Sequence, residues 1–180
     1  MTDKKTILAA LAFLLASGGA SAQDWQPTES KNKLAINHPD LQNVEWKRHA
    51  YGFYEGEGSY GGYIEGLSGF DKRSGVYLTV KLAEISRFRF DYVSVSQIAK
   101  NMFETVKSVD AETSFDSKHG SASFAPTLIG FGPEDVNCAV FSVEVNGLWR
   151  KLEGVICPAH GRKVTADEVK GVLEAVSLAK

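Results

Sequence analysis

Cysteine and proline are scarce in this chain, two and five among 180 residues, and nothing after the N-terminus approaches the roughly 20 consecutive apolar residues of a membrane-spanning helix. Charge of one sign is lacking as well. Twenty Lys and Arg face 22 Asp and Glu, a net charge of −2, which excludes the basic footprint that a phosphate-tracking nucleic-acid binder needs. No Gly-x-Ser-x-Gly elbow, internal repeat or biased tract is present, so nucleophile-elbow hydrolases, solenoids, collagens and low-complexity chains are set aside.

What is present suits a globular domain. The chain is 43% hydrophobic and 11% aromatic, enough apolar material to offset the entropy of ordering a core. Lys4 and Lys5 precede an apolar run from Ile7 to Ala16, and small residues follow to Ala20-Ser21-Ala22. This is the three-part layout of a secretory signal peptide. Residues 1–22 are therefore expected to be removed, leaving a soluble periplasmic or secreted chain that begins at Gln23, with no membrane span. An oxidising compartment favours pairing of Cys138 with Cys157.

Residues 23–43 read as a polar N-terminal segment with little regular structure, and residues 44–180 as a single domain. From Val44 to about Phe90 the signals are for strands; Val76, Leu78, Val80 and Leu82 alternate with Tyr77, Thr79 and Lys81. Ser94 and Gln97 fit a capping box and Val93 and Ile98 a hydrophobic staple. Val95, Ile98, Ala99, Met102, Phe103 and Val106 then predict a helix to about Lys107. Ser108 to Ser123 reads as a loop or an edge strand. Ala139, Phe141, Val143 and Val145 predict another strand, Asn146-Gly147 a turn, and Trp149 to Cys157 the returning strand. Thr165 with Glu168 and Val164 with Val169 open a last helix along Val169, Val172, Leu173 and Val176. The fold class predicted is α+β: an antiparallel sheet with two amphipathic helices packed on it, in the order strands, helix, strands, helix.

The turn sets where the cysteines fall. A two-residue loop places Cys138 opposite Val155, with Cys157 one diagonal step away, whereas a four-residue loop places the two cysteines directly opposite. Diagonal neighbours are farther apart than a disulfide spans, so a bridge requires the wider loop or a bulge.

Several residue groups invite chemistry. Cys157-Pro158-Ala159-His160 lacks the second Cys of a thioredoxin motif and the fourth ligand of a zinc site, so it reads as half of a structural disulfide, with no metal. Gly56-Glu57-Gly58-Ser59-Tyr60-Gly61 matches the dinucleotide fingerprint in letters, but glycine and strand residues follow where a helix must begin, and no cofactor is expected. His119 near Asp116, Ser117 and Ser121 supplies the residue types of a triad without its geometry. His38 and His49 stand apart from other ligand types, and Lys72, Arg73, Arg87 and Arg89 read as solvated strand residues. Trp46, Tyr51, Tyr54, Glu55, Glu57, Tyr60 and Tyr63 form the candidate ligand-binding group, since aromatic faces stack on rings while carboxylates orient hydroxyls. A packed aromatic hairpin is the competing reading of the same residues.

Cys138-Ala-Val-Phe141 and Gly154-Val-Ile-Cys157-Pro-Ala-His-Gly161, followed by a capped helix, resemble the C-terminal segment of small exported proteobacterial proteins of unknown function. The resemblance covers about 40 residues, makes Cys138 and Cys157 the matching cysteines, and carries no catalytic residue. The expected function is that of an exported, soluble accessory or binding protein of the cell envelope, non-catalytic, with a small ligand or an envelope protein as partner. The alternative is an exported hydrolase or glycan-active enzyme using the acidic aromatic segment 51–65, with Glu55, Glu57 or Glu65 as its acid or base.

Overall fold

Alternation of β-branched and aromatic residues with polar ones dictates strands with one buried side, and the chain follows it. The computed structural model describes residues 25–38, 41–42, 44–54, 60–85, 92–131, 133–145 and 149–179. Strands β1 (Gln26–Pro27), β2 (Leu34–Ile36), β3 (Lys47–Tyr54), β4 (Tyr60–Phe70) and β5 (Tyr77–Ile85) precede helix α1 (Val95–Met102). Strands β6 (Val106–Val109), β7 (Thr113–Ser117), β8 (Gly120–Phe131), β9 (Glu134–Val145) and β10 (Arg150–Cys157) come next. A 3-10 turn (Ala159–Gly161), helix α2 (Ala166–Ala175) and strand β11 (Val176–Leu178) complete the order.

Nine strands form one sheet in the order β1-β3-β4-β5-β10-β9-β8-β6, with β7 also on β8, and β11 pairs with β2 in a small second sheet. Every pairing is antiparallel. Directly opposed residues point to the same side. One face therefore gathers Leu78, Val80, Leu82, Phe141, Val143, Leu152 and Ile156 against Val169, Val172 and Leu173 of α2 and Leu34 of β2. The other gathers Val140, Val155 and Ile129 against Val95, Ile98, Ala99 and Met102 of α1. The disulfide between Cys138 and Cys157 lies in this second cluster, with its Cα atoms 4.1 Å apart. Arg150 opposes Val145, which is the register of the wider loop and sets the two cysteines face to face.

The α+β expectation is corrected. Strands take up 56% of the described residues and helices 16%, so the fold is β-rich, with two short helices. Both helices begin where their caps predict. Ser94 Oγ accepts from Gln97 N, although Gln97 reaches Asn101 instead of closing the box, and Thr165 with Glu168 forms the complete capping box. Both helices end earlier than their apolar stripes suggest. Phe103 is extended, Val106 pairs with Ile129 in β6, and Val176 pairs with Ile36 in β11. A β-branched residue at the end of a helical stripe fits a pleated edge as well as a helix, and ladder hydrogen bonds decide between them. The polar stretch after Ser108 is strand for most of its length, and the N-terminal segment carries β1 and β2, with Leu34 fully buried.

Candidate functional site

The candidate aromatic group divides between the two faces of the sheet. Trp46 packs against the α2-side core, and Tyr63 is buried, its hydroxyl donating to Glu65 Oε2 at 2.6 Å. Tyr51 opposes Ile64 on the other face, because residues 51 and 63 differ in parity across the register. Tyr54 and Tyr60 are paired in the β3–β4 ladder, and Glu55 and Glu57 lie outside the described residues, as do positions 56–59 of the glycine motif.

Glu65 is completely enclosed and has four donors. Ser30 Oγ and Arg48 Nη1 reach Oε1; Tyr63 Oη and the backbone N–H of Lys33 reach Oε2. Asn32 adopts φ of 53°, a left-handed turn that asparagine tolerates, and this brings Ser30 and Lys33 to the same carboxylate. Such a group locks the N-terminal segment to the sheet and has no open side for a substrate.

The other sequence candidates are likewise structurally engaged. The disulfide withdraws both sulfurs from metal or thiol chemistry, and among the described residues no group of three His, Cys, Asp or Glu could hold a metal. Ser117 Oγ donates to Gly120 O inside the β7–β8 turn. The His119 ring nitrogen Nε2 sits 3.0 Å from the carbonyl oxygen of Val176. Burial holds the His119 pKa below its usual value, helped by the nearby Lys118 charge and opposed by the Val176 carbonyl.

A polar cleft opens on the α1 side of the sheet, where a row of directly opposed residues crosses five strands. Ser114 faces Ser123, Ser123 faces Ser142, Ser142 faces Glu153, and Glu153 faces Lys81. The cleft holds about 280 Å³ and is lined by Tyr92, Glu112, the serines 114, 121, 123 and 142, Glu144 and Lys151, with Val93 and Val95 at the helix end. Ser114 and Ser123 share a hydrogen bond of 2.8 Å. Lys81 and Lys151 reach Glu153 at 2.7 and 3.0 Å. Burial raises the Glu153 pKa, but the two ammonium charges outweigh it and hold the carboxyl below its ordinary value. Glu112 accepts from Tyr92 Oη and from the backbone N–H of Val95, each at 3.0 Å, so it caps α1 and anchors the tyrosine. The Tyr92 ring is 72% exposed at the rim, and its hydroxyl pKa is raised by the hydrogen bond to Glu112 and that carboxylate's charge.

Ser142 stands out in this cleft. It is 9% exposed overall and lies on the cleft wall directly opposite Ser123. The sequence signal for the site is the period-two placement of Ser121, Ser123, Ser142 and Glu144 on the outward side of two long strands, which composition and motif searching pass over.

No protein-family model matches the chain, and no curated protein matches it.

Proposed function

We propose that the protein is an exported, soluble, non-catalytic binding or accessory protein of the cell envelope that holds a small ligand in the Ser142 cleft. The observation that carries this reading is the set of serine hydroxyls, from Ser121 and Ser123 of β8 and Ser142 of β9, that lines an open polar cleft. Binding is favoured over catalysis by the engagement of the charged groups. Lys151, the lysine of the cleft, is ion-paired with Glu153 at 3.0 Å. Glu65, the described carboxylate of the acidic aromatic segment, is enclosed by four donors.

The disulfide is compatible with an extracellular or periplasmic location, and no helix among the described residues is long and apolar enough to cross a membrane. The layout of residues 1–22 supports export. Expression of the full chain in a Gram-negative host tests this part: recovery from the periplasm as a shortened chain without free thiols is expected, and a full-length, thiol-bearing cytosolic protein overturns it. Cleft binding is tested by a thermal-shift screen of that product against sugars, amino acids, polyamines and short peptides. A ligand at 100 times its Kd adds about 2.7 kcal/mol to stability, a shift that must vanish in Ser142→Phe, whose ring fills the cleft. A shift of equal size in that variant places the binding elsewhere.

A further inference from the structure

Resting on the reading of the Ser142 cleft as a binding site, the geometry points to a neutral sugar ring as the ligand it takes. The charges around the cleft are mostly engaged with each other. Lys81 and Lys151 are held by Glu153, and Glu112 is held by Tyr92 Oη and the first turn of α1. An anionic ligand would have to break one of these pairings and meet Glu144, and a cationic one would find only Glu144, whose exposure makes it a weak counter-charge.

What the cleft offers instead is hydroxyl chemistry. Ser121, Ser123 and Ser142 each donate and accept, which matches sugar hydroxyls that do both and matches poorly a carboxylate or an ammonium. Glu144, exposed beside them and directly opposite Lys151, accepts from a ligand hydroxyl with a charge-assisted bond. Tyr92 supplies an aromatic surface at the rim, held in place by its hydroxyl on Glu112, against which the apolar C–H face of a pyranose packs. The volume of about 280 Å³ has room for a single ring.

The test is amide NMR of the disulfide-intact protein titrated separately with glucose, N-acetylglucosamine, maltotriose and chitotriose, with spermidine and glutamate as charged controls. Saturable shifts at Tyr92, Ser121, Ser123 and Ser142 are expected from at least one sugar, with Kd of about 1 mM for a contact of this size. Ser142→Ala should weaken that sugar about fivefold to tenfold, Tyr92→Ala about tenfold, and Tyr92→Phe by less than about threefold, since the ring and not the hydroxyl meets the ligand. Equal affinity for mono- and trisaccharide identifies a free sugar; tighter binding of the trisaccharide identifies a glycan terminus. Sugar-induced shifts unchanged in both Ser142→Ala and Tyr92→Ala overturn the inference. Cleft shifts from spermidine or glutamate alone overturn the sugar class and leave the binding reading standing. Silence of the cleft towards every probe at about 50 mM, with the fold intact, removes both.

Discussion

Phe141 and Gly154 face each other across β9 and β10, and the phenyl ring lies where a Cβ on Gly154 would have to sit. Three residues further along the same ladder are Cys138 and Cys157. The short Cys-x-x-Phe and Gly-x-x-Cys segments are thus one cross-strand arrangement: a disulfide closes one end, and a buried aromatic ring covers a glycine at the other. A methyl group on Gly154 would collide with that ring and with the Thr79 carbonyl oxygen, which is backbone and cannot turn aside. Gly154→Ala should therefore cost about 1–3 kcal/mol of stability. Gly66→Ala is the control: its nearest neighbour, the Val80 carbonyl oxygen, is 3.9 Å away, so a neutral or slightly stabilising effect is expected in urea titrations. Equal losses in the two variants would refute this account of Gly154.

Glu65 ties residues 30–33 to β4 through Ser30 Oγ and the Lys33 backbone N–H, while Tyr63 of β4 and the charged Arg48 of β3 complete its four donors. Replacing the carboxylate with an amide removes the negative charge opposite Arg48, leaving that guanidinium only the Leu34 carbonyl and a neutral neighbour, and turns one acceptor into a donor facing donors. Glu65→Gln is expected to cost about 2–4 kcal/mol, and to raise amide exchange first in Lys31 and Lys33. Exchange that rises uniformly across the sheet would count against a local lock.

The disulfide closes a sequence separation of 19 residues between adjacent strands. Loop-closure entropy in the unfolded chain puts its contribution at about 3 kcal/mol. The double variant Cys138→Ala, Cys157→Ala should lower the urea midpoint accordingly while keeping the strand content seen by far-UV circular dichroism. An unchanged midpoint would mean that packing under α1 holds β9 and β10 together without the bond.

His119 makes stability depend on pH with a definite sign. Its pKa is lowered from 6.5 in the folded state, chiefly by burial, so below that value the unfolded chain binds protons more readily than the folded one. The contribution of neutral His119 is complete above about pH 6.5 and is lost as pH falls through the folded value. The β7–β8 turn should then loosen from the end of α2, where Lys118 also reaches the Glu174 carbonyl. Denaturation at pH 7.5 and pH 5.5 should show a drop that His119→Gln reduces; a variant with the same drop would assign it to another group.

Much of the fold is legible in local residues. The helix starts at Ser94 and Thr165 and the alternation of Leu78, Val80 and Leu82 can be read from a few neighbouring letters, and the two cysteines are the only candidates to pair, whereas the wider-loop register that sets them face to face appears only in the strand pairing. Caps and period-two faces are short-range physics, satisfied within one turn or one strand. The helix ends are not, because Val106 and Val176 continue a helical stripe and still leave it for ladder partners at Ile129 and Ile36, far away in sequence. For the same reason the strand content exceeds what the pattern suggests.

By itself, then, the sequence determined where helices begin, which strand faces are apolar, and which cysteines pair. Only the tertiary structure decided that Tyr51 and Tyr63 point to opposite sides, that Glu65 is an enclosed lock, and that serines from three strands share one cleft. Register and burial are non-local quantities: a side chain's face follows from its own strand, but its neighbours follow from which strand lies alongside and at what offset.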